Sequence, residues 1–228
     1  VKSALTDIST VILVTGNGPH QLEAECLLAS ESSAKNVSHV VKISSMEAGP
    51  EAIAPIPASH YKIERFIQET GLTYTFLRPN FFMQNLMLFA HSIKMSGQFS
   101  LPLGKAKTGI IDADDVGEIT ARIAETTPAN SSIRALSGLA LLDFHSVARL
   151  MSQTLGKEIT YNEQSHEDFH THLSKVIPSP WHVEAVSKLF VEIANGALES
   201  LTTDARDILG RKPNDVVAFV EKNKLAFI

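Results

Sequence analysis

Two rhythms of hydrophobic positions alternate along the first eighty residues. Short apolar runs at Thr10 to Val14, His39 to Ile43 and Thr73 to Leu77 have the length and β-branched content of buried strands. Between them apolar residues return at helical spacing. Leu22 and Cys26 mark a helix expected from about His20 to Ala34, and Ile63, Phe66 and Ile67 the buried face of another expected from about Ser59 to Glu69. Thr15-Gly16-Asn17-Gly18-Pro19 reads as a turn, Gly49 to Pro57 as a Gly/Pro-rich loop, and Gly71 as the end of the second helix. Arg78-Pro79 is expected to close the third strand, because proline cannot continue a central ladder. Val1 to Ala4 read as the end of a helix with no start signal, so the chain is expected to begin inside its architecture. Strand, helix, strand, helix, strand at this spacing predicts βαβ units, since parallel neighbours need a crossover long enough to hold a helix. The expected fold class is α/β with a doubly wound parallel sheet.

Further along, Asp115 to Glu118 forms a D-x-x-E pattern expected to cap a helix carrying Val116, Ile119, Ile123 and Ala124. A second helix is expected from a cap at Asp143, with Phe144, Val147, Ala148, Met151 and Leu155 on one face and Gly156 as its stop. From Ile159 onward, a short strand and three or four amphipathic helices are punctuated by Pro178, Pro180, Gly196, Gly210 and Pro213. The expected division is residues 1–158 for the α/β domain and 159–228 for a small, mostly helical C-terminal lobe that covers one edge of the sheet and selects the substrate.

Composition narrows the classes. Of 228 residues, 44% are hydrophobic and 20% charged, enough to bury such a core. A formal charge of −5 with no basic stripe argues against nucleic acid as a partner. No apolar run approaches the length of a bilayer span and no charged-then-apolar leader opens the chain, so no membrane partner is expected. The single cysteine, Cys26, reads as a buried inert thiol and fits a reducing, cytoplasmic setting.

In open parallel sheets, ligands bind beyond the carboxyl ends of the strands. The loops expected there are Thr15 to Pro19, Ser44 to Met46 and Arg78 to Phe82. Thr15, Gly16, Asn17, Ser44, Ser45, Met46, Pro79 and Asn80 would offer close approach and hydrogen bonds, and Phe81 and Phe82 an apolar wall for a flat ring. Spacing alone serves equally a plainer account, in which the glycines make turns, the serines cap the next segment and both phenylalanines are core.

Several stretches together resemble a known family: Val41-Lys42-Ile43-Ser44-Ser45-Met46, His60 with Ile63-Glu64-Arg65, Gly71-Leu72-Thr73-Tyr74-Thr75, and Leu77-Arg78-Pro79-Asn80-Phe81-Phe82-Met83-Gln84-Asn85. They are similar to the NmrA-like branch of the atypical short-chain dehydrogenases/reductases, as are Ile111-Asp112 (expected in a strand), Asp114-Asp115-Val116-Gly117 and Leu209-Gly210-Arg211-Lys212-Pro213. That branch includes NAD(P)H-dependent quinone and triphenylmethane-dye reductases and redox-sensing regulators. The family opens with a strand, a G-x-x-G-x-x-G loop on a helix N-terminus and a second strand ending in the residue that reads the ribose. These residues contain no such glycine run, since Gly16-Asn17-Gly18 is followed by Gln21 where a third glycine is needed. The resemblance therefore implies a Rossmann-like fold that is N-terminally truncated, either as a fragment of a longer chain or as a shortened protein with weakened cofactor binding. The implied cofactor is NADP or NAD if the native chain carries that segment, and none for this chain otherwise.

His60 stands where related reductases place a lysine that orients cofactor or substrate, and many NmrA-like members resemble this chain in having histidine there. It is the candidate catalytic residue, a hydrogen-bond donor or an acid near neutral pH, as well as a cofactor contact; the alternative is a partly exposed histidine at a helix start. Tyr61 adjoins it, but Arg65 occupies the lysine position of a Tyr-x-x-x-Lys arrangement, so tyrosine-driven proton transfer is not expected. The family chemistry is direct hydride transfer from a nicotinamide to an electron-poor small molecule, quinone-like or dye-like. Two other readings stay open: a cofactor-free isomerase or cyclase using His60, and a non-catalytic binding or redox-sensor protein. The implied partner is a small-molecule substrate, and a homodimer is left open.

His166-Glu167-Asp168-Phe169-His170 matches the H-E-x-x-H pattern of zinc proteases, with His172 beyond it. Ser165 and Asp168, however, form an S-x-x-D cap that puts His166 in an exposed first turn, and His172 turns to another face. Asp112, Asp114 and Asp115 read as helix-capping residues rather than cation ligands. No metal is expected.

Overall fold

The computed structural model describes residues 2–126 and 128–228. Its strands are β1 (Thr10–Leu13), β2 (His39–Ile43), β3 (Thr73–Pro79), β4 (Gln98–Leu101), β5 (Ser132–Leu136) and β6 (Thr160–Glu163). The helices are α1 (Gln21–Ala34), α2 (Pro55–Glu69), α3 (Ala90–Ser96), α4 (Ala113–Ala124), α5 (Phe144–Leu155), α6 (His166–Val176), α7 (Pro180–Ala194), α8 (Asp204–Leu209), α9 (Val216–Lys222) and α10 (Lys224–Phe227). Two 3-10 turns, Lys2–Leu5 and Met83–Phe89, complete the list; Val1, expected to share a helix end with the first of them, lies outside the described residues.

Four strands form one sheet in the order β1-β2-β3-β5, and every neighbouring pair is parallel. Alternate residues of a strand face opposite sides. Val40 and Phe76 therefore meet Ile63 and Ile67 of α2 on one face, while Val41 and Leu77 meet Ile119 of α4 and Leu209 of α8 on the other. With helices on both faces, the sheet is doubly wound. β4 and β6 pair in a separate parallel ribbon, inside an apolar cluster that runs from Phe81 to Phe227. No helix among the described residues is long and apolar enough to cross a membrane.

Four local expectations need correction. α2 starts at Pro55 rather than near Ser59, because proline suits a first helical position, where its missing N–H would have had no intrahelical partner. α4 is capped by Asp112, not Asp115: the Asp112 carboxylate accepts from the Asp114 amide at 3.0 Å, whereas Asp115 is buried and accepts from Arg211 at 2.8 Å and the Asn214 amide at 2.6 Å. Ile111 makes a single bridge to Phe82 instead of a strand. Beyond Ile159 there are five helices among the described residues, the last three short. The cap at Asp143, which accepts from the Ser146 amide at 2.7 Å, and the left-handed stop at Gly156 are as the pattern predicts.

Candidate functional site

Because β1, β2 and β3 are parallel, the loops that follow them open on one edge. Backbone bonds lay the second loop against the end of β3: the Ser44 amide donates to the Leu77 carbonyl at 2.7 Å and the Met46 amide to that of Pro79 at 3.2 Å. Asn80, next along, is buried. Its amide nitrogen donates to the Leu198 carbonyl and to Met46 Sδ, each at 3.0 Å, and its side-chain oxygen accepts from the Phe81 amide at 2.7 Å.

The loop after β1 is held from three directions. Thr15 Oγ1 donates to Glu25 of α1. Asn17 Oδ1 accepts from His60 Nε2 of α2 at 3.2 Å, and the Asn17 carbonyl accepts from His182 Nε2 of α7 at 2.8 Å. Ser179 fixes the other nitrogen of His182 at 2.8 Å, while Glu192, further along α7, accepts the Ile53 and Ala54 amides at 2.6 and 2.7 Å just before α2. The C-terminal part of the chain thereby braces both the loop and the helix that carries His60.

Of the residues singled out in the sequence, Thr15 and Asn17 share one loop but bond separately, Thr15 to Glu25 and Asn17 to His60, while Met46 is bonded to Pro79 and Asn80, and Ser44 to the neighbouring Leu77. Gly16 is exposed, with open space where a side chain would go. Ser45 turns to Glu47, with which it hydrogen-bonds. Phe81 and Phe82 do not form a common wall: Phe81 packs edge-on to Phe144 (5.4 Å between centroids) and Phe190 (6.2 Å) in the large apolar cluster, and Phe82 lies against the cluster on the α4 side of the sheet.

Burial dominates the electrostatics. His60 is 6% exposed, and desolvation, helped by the charge of Lys42, pushes its pKa down to about 3. It is therefore a neutral imidazole at ordinary pH, which corrects the expectation of an acid near neutrality. With Nε2–H donating to Asn17, Nδ1 is left as an acceptor. That atom and Ser44 Oγ are buried with no hydrogen-bond partner among the described residues. Burial also raises the Glu47 carboxyl and lowers Lys42, the latter opposed by Glu25.

Glu25, Lys42, Glu47 and His182 were not singled out in the sequence. One signal was available: a lysine in the middle of the apolar run His39 to Ile43 must find a buried partner. At the other candidate cluster, Ser165 Oγ accepts from the Asp168 amide at 3.0 Å, which places His166 in the first turn of α6, and His170 lies 3.9 Å from Glu184. Among the described residues, no three His, Cys, Asp or Glu side chains are arranged to hold a metal.

A parallel sheet covered by helices on both faces, with a polar cluster at the carboxyl ends of its strands, is the Rossmann-like class of α/β protein. Within that class, the chain belongs to the NmrA-like family, whose model matches residues 1–220. It is 24% identical over 227 residues to the NAD(P)H azoreductase of Xenophilus azovorans, covering all of this chain and 79% of that one. Among solved structures it resembles the NADPH-dependent quinone oxidoreductase of Escherichia coli complexed with NADPH, at a TM-score of 0.89 and 18% identity over 98% of this chain and 79% of that one. It also resembles the Citrobacter sp. triphenylmethane reductase complexed with NADP(H), at a TM-score of 0.86 and 16% identity over 97% and 78% of the two chains.

Proposed function

We propose that this protein is an NAD(P)H-dependent oxidoreductase acting on an electron-poor small molecule of the quinone or dye type, in the reducing cytoplasm. The observation that carries the reading is that two of the buried, unpartnered polar atoms among the described residues, Ser44 Oγ and His60 Nδ1, lie on elements that converge at the carboxyl edge of the sheet. An unpaired buried polar group is costly unless a ligand satisfies it. The names of the similar reductases agree with a nicotinamide as that ligand.

Thr15 to Asn17, Ser44 to Met46, His60 and Pro79 to Phe82 would hold the nicotinamide end, with Phe81 and Phe82 backing the loop from opposite clusters. A bound reduced nicotinamide supplies a hydride, that is, two electrons and one hydrogen nucleus. The protein's own contribution is positional. His60 stays neutral and accepts a hydrogen bond from a ligand hydroxyl or amide through Nδ1, Ser44 offers a hydroxyl, and Asn17 keeps the imidazole turned. The proton that completes reduction of the acceptor then comes from solvent rather than from His60. Residues 159–228 select the acceptor. A groove of about 470 Å3, bordered by Pro102, Glu163, His166, Ala194 and Glu199, shares with the site the segment whose Leu198 carbonyl holds Asn80.

The test is a titration of the purified 228-residue chain with NADPH and NADH, followed by nicotinamide fluorescence and thermal shift. Saturable binding tighter than about millimolar, a threshold of roughly −4 kcal/mol, is expected, with quinone or dye reduction lost in His60→Ala. A folded sample that binds neither nucleotide overturns the reading.

A further inference from the structure

One buried carboxylate supports the exposed part of the candidate site. Glu25, on α1, receives Lys42 Nζ from β2 on one oxygen, and Thr15 Oγ1 and Gln21 Nε2 (the latter at 3.0 Å) on the other. Lys42 is fully enclosed and Glu25 is 1% exposed. A buried pair of this kind adds little net stability, because removing two ions from water costs about as much as their attraction returns. Apolar side chains of similar size would hold a helix on a strand at least as well. Apolar side chains could not, however, reach out to fix the exposed Thr15, or through it the loop whose Asn17 orients His60.

We infer that Glu25 and Lys42 are the positioning residues of the site, anchoring the Thr15–Asn17 loop and thereby the orientation of the His60 ring. Lys42 has a second effect. Its charge sets the imidazole against protonation, in the same direction as burial does. The other charged groups around the ring are already matched: Glu64, one turn along α2, is buried against Arg78 of β3, whose Nε donates to it at 2.9 Å, and Glu25 is matched by Lys42 itself. His182 of α7 reaches Asn17 through the backbone carbonyl, and the buried His39 of β2 is bonded to Thr75 at 2.9 Å.

The inference rests on His60 being a ligand contact, but its test does not require cofactor. Imidazole NMR on the whole chain, with the His60 signals assigned through His60→Gln, would compare wild type, Thr15→Val, Thr15→Ser and Lys42→Met, with thermal unfolding as the check of folding. In wild type, one sharp His60 ring in the Nε2–H form is expected, with no titration between about pH 8 and about pH 5. Thr15→Val is expected to broaden or split that signal and to weaken NADPH binding by about fivefold, the scale of one hydrogen bond, with Thr15→Ser restoring both. Lys42→Met is expected to raise the His60 titration midpoint by about one pH unit. An unchanged His60 ring in Thr15→Val overturns the inference, and that variant alone decides if Lys42→Met fails to fold. If wild type binds no NADPH while the ring responds as stated, the reductase reading falls and the positioning role stands.

Discussion

Lys42 on β2 and Phe144 on α5 are both fully enclosed, and they represent two ways of filling an interior. Around Lys42, between the sheet and helices α1 and α2, the buried residues include Glu25, His60 and Glu64 beside Leu13, Val40 and Phe76. Around Phe144 the interior is aromatic and aliphatic. Phe81, Phe99 and Tyr161 surround it with ring centroids 5.4, 6.4 and 5.8 Å away. Tyr161 is the polar exception there: its hydroxyl donates to the Leu101 carbonyl at 2.9 Å, and burial raises its pKa to about 12. Packing of apolar side chains dominates the second region, whereas the first buries polar groups whose geometry must be kept. The polar interior is the one that borders the candidate site.

The comparison is tested most severely by Phe144→Ala. Emptying an aromatic site in a packed core costs about 3–5 kcal/mol, so urea unfolding should show a loss of that size. A loss below about 2 kcal/mol would mean that the surrounding rings collapse into the space, and the region could not then be described as held by packing.

The two regions also differ in how much of them could be read from sequence. β1, β2 and β3 are compact apolar runs, so their order, and hence the edge where the loops converge, follows from spacing. β5 gives no such signal, because Ile133 and Arg134 of this outermost strand are exposed. β4 and β6 are four-residue strands in a two-stranded ribbon, too short for a periodicity to stand out. Asp112 and Asp115 each begin a pattern with an acid three residues on, and local sequence cannot choose between them. The choice is made by Arg211 and Asn214, about a hundred residues away, which claim Asp115. The candidate site shows the same limit. Its loops were legible as strand ends, yet Glu25 and Lys42 meet across seventeen positions and two elements. Phe81 and Phe82 look like one wall in sequence, but successive residues in extended chain face opposite ways, and the two rings enter different clusters.

A smaller effect, over acidification to about pH 5, comes from protons. The folded-state pKa of His60 is about 3, against about 6.5 for an unhindered histidine, so between those values the unfolded chain holds one more proton than the folded one. Stability contributed by the neutral ring is complete above about pH 6.5 and falls as pH drops toward 3, by up to about 1.4 kcal/mol per pH unit. His39, also lowered by burial, acts in the same direction, while Glu47, raised by burial, acts in the opposite one. Urea midpoints at successive pH values should decline on acidification, and His60→Gln should flatten the slope. An unaltered slope in that variant would show that the ring is already protonated, or is solvated, in the folded protein.

The smallest expected effect is the most discriminating. Removing one member of the Glu25–Lys42 pair leaves a buried charge alone and should cost about 3–5 kcal/mol, as much as Phe144→Ala. Replacing both by methionine removes the two desolvation penalties together with the attraction, leaving chiefly the Gln21 amide to be resatisfied, so the double variant should lie within about 2 kcal/mol of wild type. Such a protein would unfold almost normally while its His60 ring had lost the Thr15–Asn17 tether. If the double variant were instead as unstable as either single one, the pair would be holding α1 to β2, and the polar interior would be structural in the same sense as the aromatic one. Near-normal stability with a disordered ring would mean that the charges are retained for the geometry of the site and not for the fold.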